Sequence, residues 1–418
     1  MTDLIIELAY GNTTKQFVMN DENLLGIYHL KDVAETPDET QVLKDALENP
    51  IGTSKLREIV KPGQKIAIVT SDLTRPCPSA RILPFIVEEL EQAGVRDEDV
   101  TIIIALGLHR EMTDAEIGQV IPAEYRQRFT VLNHDVNDVV HLGETSKGTP
   151  VELFRPVVEA DVRICLGNVE FHYFAGYSGG AKAIFPGCAS KAAITANHSM
   201  MTRPEVRPGV WEGNPVRADF EEAVGILGVD FIFNVIVNEH HQIVGAVAGD
   251  MIQAHRIGCE MVAERGKVSV PAQADLVIAS AGGFPKDIDL YQAQKALENA
   301  SQFVREGGIV ILVGKCAEGF GNQTFEEWFL DAESPQAILQ RIQQEFVLGG
   351  HKAAAFANVQ LRQDVYLISD IPQDVIRRTG LIPYDDLQKA FDDAMSKLGK
   401  DTSVIVLPQA GSILPKFE

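Results

Sequence analysis

The sequence predicts an α/β protein made of two α/β domains with mostly parallel sheets. Three observations carry that prediction. The chain has 418 residues, more than one hydrophobic core ordinarily organises, so two domains are expected. Short, fully apolar runs such as KIAIVT and VTIIIAL match strands covered on both faces. Helical-period segments separate those runs, the alternation of a parallel sheet flanked by helices.

The elements follow in order. Met1-Thr2-Asp3 runs straight into a polar-alternating strand pattern, so no leader peptide is expected. Strands are expected at Lys65–Thr70, Val100–Leu106, Arg128–Leu132 and Val162–Leu166. Between the first two, Leu83, Ile86, Val87 and Leu90 recur at helical spacing within Ala80–Ala93. A second block has strands near Phe231–Val237 and Ile243–Val247, then a helical pattern to about Arg265. A third opens with the strand Ala274–Ser280, followed by a helix near Tyr291–Val304 and a strand at Gly308–Val313. Helices fill 334–397, and Ser403–Leu407 is a final strand. Lys267–Gln273 reads as a connector. The expected domains are therefore 1–267 with the terminal segment 402–418, and 268–401, which closes over the site.

Composition narrows the function. Hydrophobic residues are 45% and charged residues 23%, the profile of a soluble globular protein. The net charge of −22 argues against sequence-independent nucleic-acid binding, which needs a basic surface. It argues equally against anionic membranes. No apolar run approaches the roughly 18 residues of a membrane span. Cys77, Cys165, Cys188, Cys259 and Cys316 are scattered without C-x-x-C spacing. Neither a disulfide framework nor a structural zinc site is expected, and a reducing, cytoplasmic setting is.

Ligands of open α/β sheets sit at the carboxyl ends of the strands. After KIAIVT comes Ser71-Asp72-Leu73-Thr74-Arg75-Pro76; after VTIIIAL comes Gly107-Leu108-His109-Arg110. After VRICL comes Gly167-Asn168-Val169-Glu170-Phe171-His172, and after DLVIASA comes Gly282-Gly283-Phe284-Pro285-Lys286-Asp287. These ends point to one shared cleft. Arg75 suits a carboxylate or phosphate, or else a structural ion pair with Asp72. His109 and His172 stand at two strand ends, where each is either a hydrogen-bonded structural residue or one flank of a ligand.

The densest segment is 171–199. Gly179 and Gly180 let backbone amides approach an anion closely. Lys182 does not complete a P-loop: the residue five after Gly176 is Ala181, and Lys182 precedes Ala183 rather than a hydroxyl residue. Ser190 is the expected N-cap of a helix that ends near His198. His198 there either meets the helix C-terminus or ligates a metal. Tyr291 and Lys295 share a helix face, with Gln292 beside them; a solvated surface is the alternative reading of that face. The other histidines show no partner pattern, and Trp211 and Trp328 read as packing residues.

Taken together, SDLTRP (71–76), GLH (107–109), FHYFAGYSGGAKAIFPG (171–187), NHS (197–199) and GGFPKDIDLYQAQK (282–295) resemble the nickel-pincer-nucleotide-dependent lactate racemase family of 2-hydroxy-acid racemases and epimerases. The resemblance implies two α/β domains with the active site in the cleft between them. It implies a nickel-pincer nucleotide (pyridinium-3,5-bisthiocarboxylic acid mononucleotide nickel) attached covalently to Lys182, with His198 as nickel ligand. His109 and His172 become the paired acid/base histidines, and Arg75 and Lys295 hold the substrate carboxylate. Asp72, Gly179, Gly180, Tyr291 and Gln292 surround the cofactor and substrate. The implied reaction inverts C2 by hydride transfer through a 2-keto acid, with cofactor-biosynthesis proteins needed for maturation. One departure stands out. The lactate enzyme places an aromatic side chain near its substrate, and Phe356 is the nearest candidate here, so larger or more polar 2-hydroxy acids are also expected substrates. The alternatives are a non-catalytic nucleotide- or anion-binding protein and a zinc-dependent hydrolase using His172 and His198.

Overall fold

Apolar side chains on both faces make Ile66–Ser71 a central strand, and burial of each Ile or Val there contributes about 1.5–3 kcal/mol. The computed structural model describes residues 3–31, 37–238 and 240–417. It divides into two units, one of residues 33–264 and one of residues 1–32 with 265–418.

In the unit of residues 33–264, six strands form one sheet. Their order is Ile243–Gly249, Phe231–Val237, Val162–Asn168, Ile66–Ser71, Val100–Ala105 and Thr130–Asn133. All neighbours are parallel except the first pair. The pairing Ile66↔Val100 and Ile66↔Val162 puts three carboxyl ends side by side. Helices Glu39–Glu48 and Ser79–Gln92 seal one face, packing Leu43, Leu47, Ile82, Leu83 and Ile86 on Ile68, Ile102, Ile104 and Ile164. A hairpin, Val139–Glu144 with Pro150–Phe154, is an addition that sequence periodicity did not suggest.

The other unit also has a six-stranded sheet, parallel throughout. Its order is Ile382–Tyr384, Asp364–Ile368, Val304–Val313, Ala274–Ser280, Val404–Leu407 and Leu24–Ile27. Two of these strands, Asp364–Ile368 and Ile382–Tyr384, lie in the stretch expected to be all helical. The hairpin Asp3–Tyr10/Thr13–Asn20 turns Ile6, Leu8, Tyr10, Phe17 and Met19 onto the same core as Leu276, Ile278 and Ile311.

The expected division therefore changes at both ends. Residues 3–31 belong with the C-terminal half, because Leu24–Ile27 pairs with Val404–Leu407 and the hairpin shares that core. The terminal segment 402–417 belongs there too, through the pairing of Val404–Leu407 with Ala274–Ser280. The expected connector 267–273 begins with a real strand: Lys267–Val270 pairs with Leu414–Phe417. No helix among the described residues is long and apolar enough to cross a membrane.

Candidate active site

Asp72 follows the strand Ile66–Ser71 and is 5% exposed. Its Oδ2 lies 2.5 Å from His109 Nδ1. Its Oδ1 accepts from the Thr74 amide at 3.0 Å and the Thr74 hydroxyl at 2.6 Å. Burial alone would raise the Asp72 carboxyl; hydrogen bonds from His109 and Thr74 outweigh it and hold the group below its ordinary value. An ionised Asp72 accepts the Nδ1 proton of a neutral His109, which makes Nε2 the nitrogen able to take a proton. Arg75 is exposed and makes no direct salt bridge with Asp72, but its charge adds to the effects that hold that carboxyl low.

Gly107, two residues before His109, has φ +57° and donates its amide to Gly187 O at 2.9 Å. That bond ties the His109 loop to the end of the 171–187 segment. His172 lies in a two-residue strand, Phe171–His172, paired with Gly176–Tyr177. Its Nδ1 accepts the Ala175 amide at 3.2 Å. Beyond it, Gly179 (φ +75°) and Gly180 (φ +61°) turn into the short helix carrying Lys182. A Cβ on Gly179 would stand 2.7 Å from Asn234 Oδ1, and one on Gly180 would stand 2.8 Å from the His255 ring. Only glycine fits both positions.

Phe174, buried, joins the functional side chains. Its ring centroid is 4.5 Å from the His172 ring, 4.7 Å from the His198 ring and 5.6 Å from Lys182 Nζ. His198 closes the helix Lys191–His198, whose N-cap Ser190 accepts from the Ala193 amide as expected. Burial first, and the nearby Lys182 charge second, push its pKa down to about 3. The neutral ring donates from Nδ1 to Asn197 Oδ1 at 2.9 Å. Asn197 Nδ2 in turn donates to Asp219 at 2.8 Å, and Thr145 and Thr149 also donate to that carboxylate. This buried chain fixes the tautomer whose Nε2 lone pair suits a metal. Among the described residues, no group of three or more His, Cys, Asp or Glu is placed to hold a metal ion. Among the described residues the zinc-hydrolase alternative therefore finds no set of three protein ligands around His172 and His198.

On the other unit, Asp289 caps the helix Leu290–Ala300 through the Gln292 amide. Gln292 and Lys295 are exposed and Tyr291 is half-buried. Lys352 Nζ lies 4.9 Å from the Tyr291 ring centroid, and the His351 ring stands edge-on to it at 6.2 Å. Phe356 is not a ligand-facing aromatic: it is fully buried between Phe325 and Phe329, at 5.7 and 5.1 Å.

Sequence reasoning missed Phe174, Asn197, Asp219, Asn234 and His255. Two of them had a visible clue, since Phe174 and Asn197 each sit within two residues of a candidate histidine.

A model of the lactate racemase N-terminal domain matches residues 10–209, and one of the lactate racemase C-terminal domain matches residues 270–414. The chain is 33% identical to the lactate racemase of Thermoanaerobacterium thermosaccharolyticum, over 98% of both chains. It is 31% identical to that of Lactiplantibacillus plantarum, over 98% of this chain and 99% of the relative. The solved lactate racemase apoprotein from T. thermosaccharolyticum superposes with a TM-score of 0.90 over 99% of this chain and all of that one. A Thermotoga maritima protein, 18% identical, shares the fold with a TM-score of 0.64 over 94% of this chain.

Proposed function

The chain belongs to the lactate racemase family and is an isomerase of the racemase type, and from that premise we propose that it inverts the C2 centre of a 2-hydroxy acid with a nickel-pincer nucleotide as cofactor. The observation that carries the proposal is the convergence of His172, His198 and Lys182 on the Phe174 ring. An amine for covalent attachment, a neutral imidazole for nickel and an acid/base imidazole thus share one small region. The residues fit such a group: one histidine from the chain, with the remaining ligands from the cofactor itself. When bound, the cofactor supplies an acceptor for the substrate's Cα hydrogen as hydride, which leaves a 2-keto acid.

The chain's own residues do the rest. His109 Nε2 takes the substrate hydroxyl proton while Asp72 holds the ring by Nδ1. His172 is the acid/base group for the opposite face; its Nδ1 here accepts from the Ala175 amide, so acting as base through Nε2 requires that contact to open and the ring proton to move to Nδ1. Arg75, exposed beside Asp72, holds the carboxylate with its planar fork. The loop around Gly179 and Gly180 holds the nucleotide phosphate through amides other than that of Gly180, which Asn234 takes. Tyr291, Gln292 and Lys295, on the other unit, keep the ligand-contacting roles that the motif implies. Cytoplasmic location and maturation by cofactor-building proteins belong to the same proposal.

The test is holoprotein from a host that makes the cofactor. Intact mass should show an adduct on wild type and none on Lys182→Ala, and the adducted protein should interconvert the enantiomers of at least one 2-hydroxy acid. Interconversion undiminished in Lys182→Ala would sink the assignment.

A further inference from the structure

The carbonyls of the 174–179 loop point at buried side chains. Asn214 Nδ2 donates to Phe174 O at 2.9 Å, and His255 Nε2 donates to Ser178 O at 2.8 Å. Arg217 takes three more: Nε donates to Ala175 O at 3.2 Å, Nη1 to Gly179 O at 3.5 Å, and Nη2 to Tyr177 O. On the far side, Asn234 Oδ1 accepts from the Gly180 amide at 2.7 Å.

Arg217 is fully buried on the helix Pro215–Leu227. Glu221 lies 3.4 Å from Nη1 and also accepts two hydrogen bonds from Arg256, at 2.9 and 2.6 Å. Arg256 lies 4.2 Å over the Trp211 ring and donates to His255 Nδ1 at 3.0 Å, which fixes His255 as the Nε2–H tautomer. Two guanidinium groups thus share one carboxylate, leaving a positive charge beneath the loop. Burying an arginine is costly, and a position needing only packing is served as well by an apolar residue. What guanidinium adds is a rigid fan of donors able to meet several carbonyls at once.

We propose that Arg217 is a positioning residue for the ligand loop: by clamping the carbonyls of Ala175, Tyr177 and Gly179 it presets the course of the loop backbone and the Lys182 side chain for an anionic, phosphate-bearing ligand. The proposal rests on the reading of this loop as the cofactor site. Arg217 acts through the backbone and does not itself touch the ligand.

Two variants test it. Arg217→Lys keeps the charge and most of the stem but loses the fan; Arg217→Met keeps the volume alone. Hydrogen exchange on the purified chain should speed up about tenfold in peptides covering 174–182 in Arg217→Lys, with the strands Ile66–Ser71 and Val162–Asn168 unchanged. Protein from a cofactor-making host should lose about tenfold in Lys182 adduct, a difference of about 1.4 kcal/mol, with Arg217→Met lower than Arg217→Lys. Wild-type loop exchange with wild-type adduct yield in either folded variant overturns the proposal. So does a uniform rise in exchange across the unit, or failure of both variants to fold, since either marks a brace for the whole fold. A wild-type chain that acquires no adduct sinks the cofactor reading and leaves the exchange comparison standing.

Discussion

Replacing Asp72 by asparagine should disable His109 by reversing its tautomer. Thr74 donates twice to Asp72 Oδ1, from its amide at 3.0 Å and its hydroxyl at 2.6 Å. In Asp72→Asn those two donors select the carboxamide oxygen for that position. The NH₂ group is then left facing His109 Nδ1, where the carboxylate oxygen stood at 2.5 Å. A donor there requires Nδ1 to accept, which moves the ring proton to Nε2 and removes the lone pair that takes the substrate proton. Losing a charge-assisted hydrogen bond costs roughly 1.5–3 kcal/mol. A general base is worth about 10²- to 10⁴-fold in rate, and Asp72→Asn should forfeit most of that in kcat. The assay is the initial rate of enantiomer interconversion in each direction, normalised to Lys182 adduct. The double variant Asp72→Asn/His109→Ala should be no slower than His109→Ala alone, because the aspartate acts through the histidine. A rate within threefold of wild type, or losses that multiply in the double variant, would refute this reasoning.

Three further outcomes follow from buried groups. His198→Ala should still fold, since Asn197 keeps its bonds to Asp219 and Val216 O, but nickel retained per adduct should fall at least about tenfold by elemental analysis; unchanged nickel would exclude His198 as ligand. His134 is 3% exposed and burial pushes its pKa down to about 4. Its neutral form is favoured by folding, so this stability is present above the ordinary value of 6.5 and is lost as pH falls through 4, by roughly 3 kcal/mol. His134→Leu should flatten that acid limb in denaturant titrations, and an unchanged limb would count against it. Burial lifts the Glu298 carboxyl to about 7. Its contribution is full below the ordinary value of 4.5 and is lost as pH rises through 7, so Glu298→Gln should melt higher than wild type at pH 8 and no higher at pH 4.5; a lower melting temperature at pH 8 refutes the assignment.

Much of the candidate site was legible because the residues proposed for it have few other reasons to stand where they do. His109, three residues past the apolar run that ends at Leu106, and Lys182, after a glycine pair, are conspicuous for breaking the local pattern. The six-stranded sheet of the 33–264 unit was legible for the same reason, as its apolar runs have no helical alternative, while the hairpin Val139–Glu144/Pro150–Phe154 was not. Residues 3–31 were assigned to the wrong half, since the strand Leu24–Ile27 pairs some 380 residues away in sequence (Leu24 opposite Val404) and strand pairing at that range leaves no local trace. Phe356 was misjudged because an aromatic in a helix reads alike whether it faces a ligand or a core.

The supports of the site were the hardest to see, and their concealment has a physical cause. Arg217, Asp219, Asn234 and His255 are polar residues inside elements, where the default reading is a solvated face. Yet Arg217 precedes Phe220 by three positions and Val224 by seven, so it lies in phase with the buried stripe of Pro215–Leu227. A solvent-facing arginine would lie out of phase with those two residues. A charge that keeps step with a helix's apolar face must find partners inside the protein or not be there at all. Here its partners are the carbonyls of the one loop that carries the glycines and Lys182. The phase of a charged residue against its own helix thus separates a buried support from a surface charge, and on that ground Arg217 belongs with the site.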